Sequence, residues 1–415
     1  MQEQKNHHKK LPRLLFITTR FLFPIDTGGQ IRTAQILRQL NNKRFDITLV
    51  SPADRNQTKS YSTQIKTVCN KFISYSHPQR KGIIREFRRV ISLWHRLPVS
   101  VASDKSHKLK KILRVEQKKD YDVIVYDFIH SAVNFIPINS VKTVMFTHNV
   151  EQHIIEYYAK QDRSFCKSFI WRSQFKKMKR FEDDSLRYYD RIISVSEYDT
   201  DYFQSLDANF DVKTIATGVD TNYFKYAAPN FSKVIIFVGS MDYPANIDGV
   251  NWFLKNVWEN IKNPYTESRM KIIGRYPPQH LISRFSSDKK ITFTGRVDDI
   301  YQESTGAGIF ILPLRIGSGT RIKVFEALAM GIPVVSTTLG VKGLPVRDGI
   351  HFLRADTAQE FTDAIHTLFS EPEQCLRLSR QGRELVENNY TWEKIAESFA
   401  NYCEFSLRQD ARKTQ

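Results

Sequence analysis

Short runs of β-branched and apolar residues alternate with longer stretches of helical character, and the alternation occurs twice along the chain. In the first half the runs are Leu14–Thr19, Ile47–Ser51, Val123–Tyr126, Val144–Thr147 and Ile192–Val195. In the second half they are Val234–Val238, Lys271–Ile273, Ile291–Thr294, Ile309–Leu312 and Pro333–Ser336. Each is continuously apolar rather than alternating, the pattern of parallel strands covered on both faces. Parallel neighbours need long crossovers, which the helical stretches supply. The pattern predicts an α/β chain of two doubly wound, Rossmann-like domains. A length of 415 residues agrees, since it exceeds what one core normally organises. The polar, Pro-containing segment Lys225–Ser232 precedes the second set of strands, so the first domain is expected over 11–205 and the second over 206–389. Residues 1–10 read as a polar, basic, disordered tail with no apolar h-region of a secretory signal behind it.

Several protein classes are excluded by composition. With 41% hydrophobic and 12% aromatic residues the chain has ample core material, so global disorder is ruled out. No apolar run reaches the roughly 18–20 residues of a membrane-spanning helix. Cys69, Cys166, Cys375 and Cys403 are far apart and form no CxxC or Cys/His cluster, which argues against structural zinc and fits a reducing, cytoplasmic setting.

The charge is lopsided. The whole excess of +18 lies in residues 1–200, which carry 37 basic and 19 acidic side chains, whereas the remainder carries 25 of each. The first half is therefore expected to meet a polyanionic partner. The basic residues follow amphipathic helical spacing rather than a nucleic-acid motif, so no nucleic acid is expected.

Three places carry candidate chemistry. Gly28-Gly29 opens a helix after the first strand, where free N–H groups and the helix dipole favour an anion; the alternative is a turn that needs positive φ. His148 follows the run Val144–Thr147, at the strand end where parallel α/β folds bind ligands; the alternative is a hydrogen-bonded loop histidine, and His130 has a weaker claim. The densest string is Gly317-Ser318-Gly319-Thr320-Arg321-Ile322-Lys323-Val324-Phe325-Glu326, running on to Gly331. Thr320 or Ser318 is expected to cap a helix that ends at Gly331. Free N–H groups of residues 319–321 are placed to hold a diphosphate. Arg321 and Lys323, expected to be exposed, oppose the helix dipole unless an anion lies between them. Glu326 is placed to reach a hydroxyl-bearing ligand; the alternative is a surface Glu–Lys pair.

At this string the chain resembles the retaining glycosyltransferases of GT-B architecture, family 4. The likeness extends through Gly28-Gly29, Thr147–Glu151, Ser194–Glu197, Thr217–Asp220, Phe237–Met241, Phe293–Asp299, the Glu326 helix with Pro333–Thr337, and Tyr390-Thr391-Trp392. It implies two domains facing a cleft, with residues 390–415 returning to the first domain. It implies donor contacts at Gly28, Gly29, Gly239, Arg296, Val297, Ser318, Gly319, Thr320 and Glu326. Glu326 matches the glutamate that holds the ribose, the backbone at Arg296 and Val297 meets the base, and His148 lies near the transferred sugar. Arg321 and Lys323 join His148 as the catalytic set. Two departures stand out. Ser318 occupies the place of the first glutamate of the family's pair, and Gly239–Asn246 lacks the family's Arg–Lys pair. Arg321 and Lys323 are candidates to supply that charge.

The expected reaction moves a sugar from a nucleoside-diphosphate sugar to a saccharide or lipid-linked saccharide. It needs no metal and no further cofactor, because leaving-group charge meets N–H dipoles and cations. A nucleotide-sugar epimerase of the same architecture and a non-enzymatic polyanion-binding protein are the alternatives. Finally, Ile83, Ile84, Phe87, Val90, Ile91 and Trp94 recur at helical spacing beside Arg85, Arg88, Arg89 and Arg96, and Phe165–Phe181 repeats the mix. Such stripes either pack on the first sheet or lie against the anionic inner face of the cell membrane.

Overall fold

The computed structural model of the chain describes residues 10–76, 95–138, 141–161, 165–316 and 321–413. Contacts divide it into two units, Met1–Ile215 with Ile395–Gln415, and Ala216–Lys394. The division falls later than the expected 205/206 because the short strand Val212–Thr214 pairs onto the edge of the first sheet.

In the first unit seven parallel strands form one sheet: β1 (Arg13–Ile17), β2 (Asp46–Pro52), β3 (Lys71–Tyr75), β4 (Val123–Asp127), β5 (Lys142–Phe146), β6 (Arg191–Ser194) and β7 (Val212–Thr214), in the order β3-β2-β1-β4-β5-β6-β7. In the second unit six parallel strands form another: β8 (Val234–Val238), β9 (Arg269–Ile273), β10 (Ile291–Gly295), β11 (Ile309–Leu312), β12 (Val334–Ser336) and β13 (Leu353–Arg354), in the order β10-β9-β8-β11-β12-β13. Each order reverses direction once, between β1 and β4 and between β8 and β11. Ligands of doubly wound folds bind beyond the strand carboxyl ends at such a switch point.

Every expected strand is present, and β3, β7 and β13 are additional. β3 lies at a sheet edge, and β7 and β13 have three and two residues, so none produces a continuous apolar run. The central strands β4 and β11 are buried along their whole length, as continuous apolarity requires. Helix Gly28–Leu40 covers the first sheet with Ile36, Leu37 and Leu40. Helix Ile322–Met330 is buried at all positions but Lys323, which its mostly apolar composition explains. The final helix, Trp392–Lys413, contributes to the first unit from Ile395 onward; there Phe399 packs edge-on against Phe146 at 5.3 Å. Among the described residues no helix is long and apolar enough to cross a membrane.

Candidate functional site

In the first unit the candidate residues gather beyond the ends of β1, β4 and β5. Thr27 caps helix Gly28–Leu40, accepting from the Gln30 N–H, while the Gln30 side chain returns to the Thr27 N–H at 3.2 Å. This box places Gly28 and Gly29 in the first turn, where N–H groups have no carbonyl one turn back. Gly29 is required sterically: a Cβ there would stand 2.5 Å from Phe128 Cζ and 3.5 Å from His148 Nδ1. The structure thus brings Gly29 and His148 together.

His148 lies two residues past β5 and is almost wholly buried. Its Nε2 lies 2.7 Å from Oδ1 of Asp127, the last residue of β4. Phe128 stacks on the imidazole with ring centroids 4.0 Å apart, and Phe146 meets it edge-on. Burial lowers the His148 pKa, with the Arg32 charge adding to that, against the raising effect of Asp127 and Glu151. The ring is therefore held neutral, with its Nε2 proton toward Asp127. His130 is a separate element: its Nδ1 is 3.2 Å from Asp104 and its Nε2 3.9 Å from Glu151.

In the second unit the expected residues surround the ends of β8, β10 and β11. The residues Ser318, Gly319 and Thr320 lie outside the described ones. Arg321, rather than Thr320 or Ser318, stands at the N-cap of helix Ile322–Met330, with left-handed φ of +47°. The helix ends at Gly331 in the left-handed region, as expected. Arg321 and Lys323 are half-buried rather than exposed, because the helix they open is itself buried. Burial lowers the Arg321 pKa. Lys323 Nζ is 2.8 and 3.0 Å from the two oxygens of Glu326, so its charge is already matched. Glu326 is buried.

Tyr223 reaches the end of β10. Its hydroxyl donates to Asp299 at 2.6 Å, and Asp299 caps the helix Ile300–Ser304. Burial raises the Tyr223 pKa to about 12, with Asp299 and then Glu326 adding to it. The strand-end residues follow: Gly295 has φ of +72°, Arg296 is exposed and Val297 half-buried. Gly239 directly follows β8, where a Cβ would stand 2.8 Å from Asn246 Nδ2. In the loop that lacks the family's Arg–Lys pair, a cation arrives from the neighbouring strand: Arg275 Nε donates to Ser240 Oγ at 2.9 Å. Sequence reasoning missed Asp127, Arg32, Tyr223 and Arg275, whose roles depend on contacts between separate strand ends. Among the described residues no group of three or more His, Cys, Asp or Glu side chains is arranged to hold a metal ion.

The fold, two units each built on a doubly wound parallel sheet, is that of the GT-B class. Residues 27–223 match the family described as Glycosyltransferase Family 4, and residues 232–371 match the one described as Glycosyl transferases group 1. The chain belongs to this family 4, group 1 set. It is similar to an uncharacterized 44.6 kDa protein in the cps region of Klebsiella pneumoniae, 20% identical and spanning 94% of this chain and 99% of that one. Its fold matches sucrose-phosphate synthase from Thermosynechococcus elongatus with a TM-score of 0.68, at 16% identity over 97% of this chain and 100% of that chain. It also matches the Anabaena protein Alr3699/HepE, solved in complex with UDP and glucose, with a TM-score of 0.64 at 13% identity over 94% and 99% of the two chains.

Proposed function

We propose that the chain is a retaining hexosyltransferase that moves a sugar from a nucleoside-diphosphate sugar to a hydroxyl of a saccharide or lipid-linked saccharide, in cell-surface polysaccharide or glycolipid synthesis. The observation that carries the donor site is the buried Glu326 carboxylate, held by Lys323 in the helix that follows β11. A carboxylate so held is a fixed acceptor for a pair of ribose hydroxyls. Arg296 and Val297 then meet the base, and Arg321 with the Ser318–Thr320 backbone meets the diphosphate. Gly239 leaves room at the end of β8. The bond from the anomeric carbon to the diphosphate oxygen breaks, the acceptor oxygen bonds to that carbon on the same face, and its proton passes to the leaving phosphate. Cations and N–H dipoles fixed in advance stabilise the leaving charge, so the proposed chemistry calls for no metal or other cofactor. Gly28 and Gly29 offer the N–H groups of their helix start, and His148 orients the sugar.

The cps-region relative supports the pathway class, and the neighbour solved with UDP and glucose supports a nucleotide-sugar donor. Membrane docking rests on the helix Phe165–Leu186. Gln174, Met178 and Glu182 turn inward, but Phe169 and Ile170 are 71% and 38% exposed beside exposed Lys167, Arg172 and Lys176. This is the composition of a surface helix at an anionic leaflet. The stripe over 83–94 lies outside the described residues.

Thermal shifts of the full chain with UDP, GDP and ADP and their glucose conjugates test the donor site, because a ligand bound only to the native state raises stability. At least one nucleotide is expected to raise the melting temperature, and the product anomer, read by NMR, is expected to match the donor. No shift with any nucleotide refutes the donor site, and an inverted product refutes retention.

A further inference from the structure

The second turn of helix Gly28–Leu40 sets Arg32 and Thr33 side by side, and both point into the floor beneath His148. Arg32 is completely buried. Backbone carbonyls receive its guanidinium: Nη1 donates to Thr147 O at 2.7 Å, and Nη2 donates to Ser194 O at 3.2 Å and to Ile215 O. The cation also lies 4.2 Å from the centroid of Phe146. One arginine therefore ties together the chain just beyond β5, the end of β6 and the chain just beyond β7, and one of the carbonyls it holds, that of Thr147, belongs to the peptide bond to His148. The Thr33 hydroxyl is 3.2 Å from each oxygen of Asp127, and Asp127 in turn holds His148 Nε2.

These contacts fix the ring from two sides. A carboxylate only accepts, so the proton of the neutral imidazole is on Nε2 and the lone pair is on Nδ1. Phe128 stacked on the ring face blocks its rotation. Nδ1 is left buried with no hydrogen-bond partner, next to the one side of Gly29 where a Cβ would stand. Buried acceptors are ordinarily satisfied, and one that is not calls for an explanation.

We propose that Arg32, with Thr33 and Asp127, is a positioning residue: it fixes the Thr147–His148 peptide and the Nε2–H tautomer, and so presents Nδ1 as an acceptor for a donor group of the substrate. The inference rests on the reading of His148 as a sugar-facing residue. It explains why a cation is buried among carbonyls rather than paired with a carboxylate. A carboxylate partner would hold Arg32 but would leave the carbonyl ahead of His148 unanchored. It also makes Nδ1 selective, since a ligand without an O–H at that point leaves the acceptor unpaired.

The test uses the full chain labelled with 15N-histidine, the variants R32K, R32M, T33V and D127N, and UDP-glucose as the probe. In the native protein the His148 nitrogens are expected to report a single Nε2–H tautomer. D127N is expected to mix the tautomers. R32M is expected to lower kcat for UDP release at least tenfold while leaving the Kd for UDP within twofold, with R32K recovering part of the loss. Should R32M fail to fold, T33V and D127N carry the same readouts. The proposal is overturned if D127N and R32M leave tautomer and kcat unchanged. It is also overturned if kcat, UDP affinity and melting temperature fall together, which is the signature of a merely structural arginine. A native protein that binds none of UDP, GDP and ADP would instead retire the transferase reading, while the tautomer measurement would still decide the role of Arg32 and Asp127.

Discussion

Lys323 Nζ lies between the two carboxylate oxygens of Glu326, one turn ahead of it in the helix Ile322–Met330. The pair sits where the helix is otherwise buried and apolar. It gives Glu326 a fixed orientation, and the carboxylate keeps acceptor capacity beyond the lysine. Glu326→Ala is therefore expected to weaken nucleotide binding by about 1.5–3 kcal/mol, roughly tenfold or more, the worth of a hydrogen bond to a charged group. Calorimetry with the nucleotide that gives the largest thermal shift checks this, and unchanged affinity would remove Glu326 from the donor site.

Lys323→Ala differs in kind. It leaves a buried carboxylate without its cation, which costs about 1–3 kcal/mol of stability. A lower melting temperature is expected together with weaker nucleotide binding. The double variant with Glu326→Ala is expected to melt higher than Lys323→Ala alone, because it removes the stranded charge. A double variant that melts lower than both singles would show that the pair is not the source of the loss.

Gly29→Ala forces a Cβ to within 2.5 Å of Phe128 Cζ, and Phe128 is the ring stacked on His148. Something must move, and overpacking of this kind costs typically about 1–3 kcal/mol. Turnover is expected to fall further than the melting temperature suggests, because the displaced ring is the one that orients His148. Gly28→Ala serves as the comparison in the same turn. Equal, small effects of the two substitutions on rate would contradict the role assigned to the Gly29 approach.

The sheets were legible in the sequence because their central strands are buried on both faces and so must be continuously apolar. β3, whose edge position leaves it partly exposed, and the two-residue β13 carry no such signature. The site was legible in pieces. His148 stands just beyond a strand end and Glu326 within a helix that the pattern locates; Lys323 is a local partner of Glu326, but the other partners are remote in sequence. Asp127 precedes His148 by 21 residues, and Tyr223 precedes Asp299 by 76. Only the fold brings such pairs into contact. Arg32 did leave a trace: it falls four residues before Ile36 and eight before Leu40, on the apolar stripe of its helix. A cation on a core-facing stripe is a demand for buried acceptors. The expectation that Arg321 and Lys323 are exposed failed for a related reason. Their charges suggested surface, whereas the helix they open is buried almost throughout.

Glu182 gives the first unit a pH dependence. It is fully buried in the helix Phe165–Leu186 and accepts the N–H groups of Glu151 and Gln152, the first residues of the helix that follows His148. Burial outweighs these bonds and pushes its pKa up to about 8. An unfolded glutamate titrates near 4.3. Between these values the native state holds a proton that the unfolded state has lost. Stability is therefore greatest below pH 4.3 as far as this group is concerned, and falls as pH rises toward 8, by at most about 1.4 kcal/mol per pH unit. Glu182→Gln is expected to flatten the melting profile between pH 5 and 8 and to raise the melting temperature at pH 8. A slope identical to that of the native protein would assign the dependence elsewhere.

The exposed end of the helix Phe165–Leu186 makes the last prediction. Further along, Gln174, Met178 and Glu182 recur every four residues and face inward, so packing explains that half of the stripe. It does not explain Phe169 and Ile170, which present apolar surface to solvent one turn before the stripe begins. The exposed cations Lys167, Arg172 and Lys176 flank them. Near an anionic leaflet each such charge is worth roughly 1 kcal/mol, and the effect decays within a Debye length, about 10 Å at 0.1 M salt. The two apolar side chains add burial in the interface only once the cations have brought the helix there. The full chain is thus expected to co-sediment with vesicles containing phosphatidylglycerol and not with phosphatidylcholine alone, and to dissociate as salt rises. Phe169→Ala with Ile170→Ala is expected to weaken binding at high salt more than at low salt. Lys167→Glu with Lys176→Glu is expected to weaken it at low salt most. Binding that is indifferent to lipid charge, or that survives both pairs of substitutions, would take this helix out of the account of how the enzyme meets its acceptor.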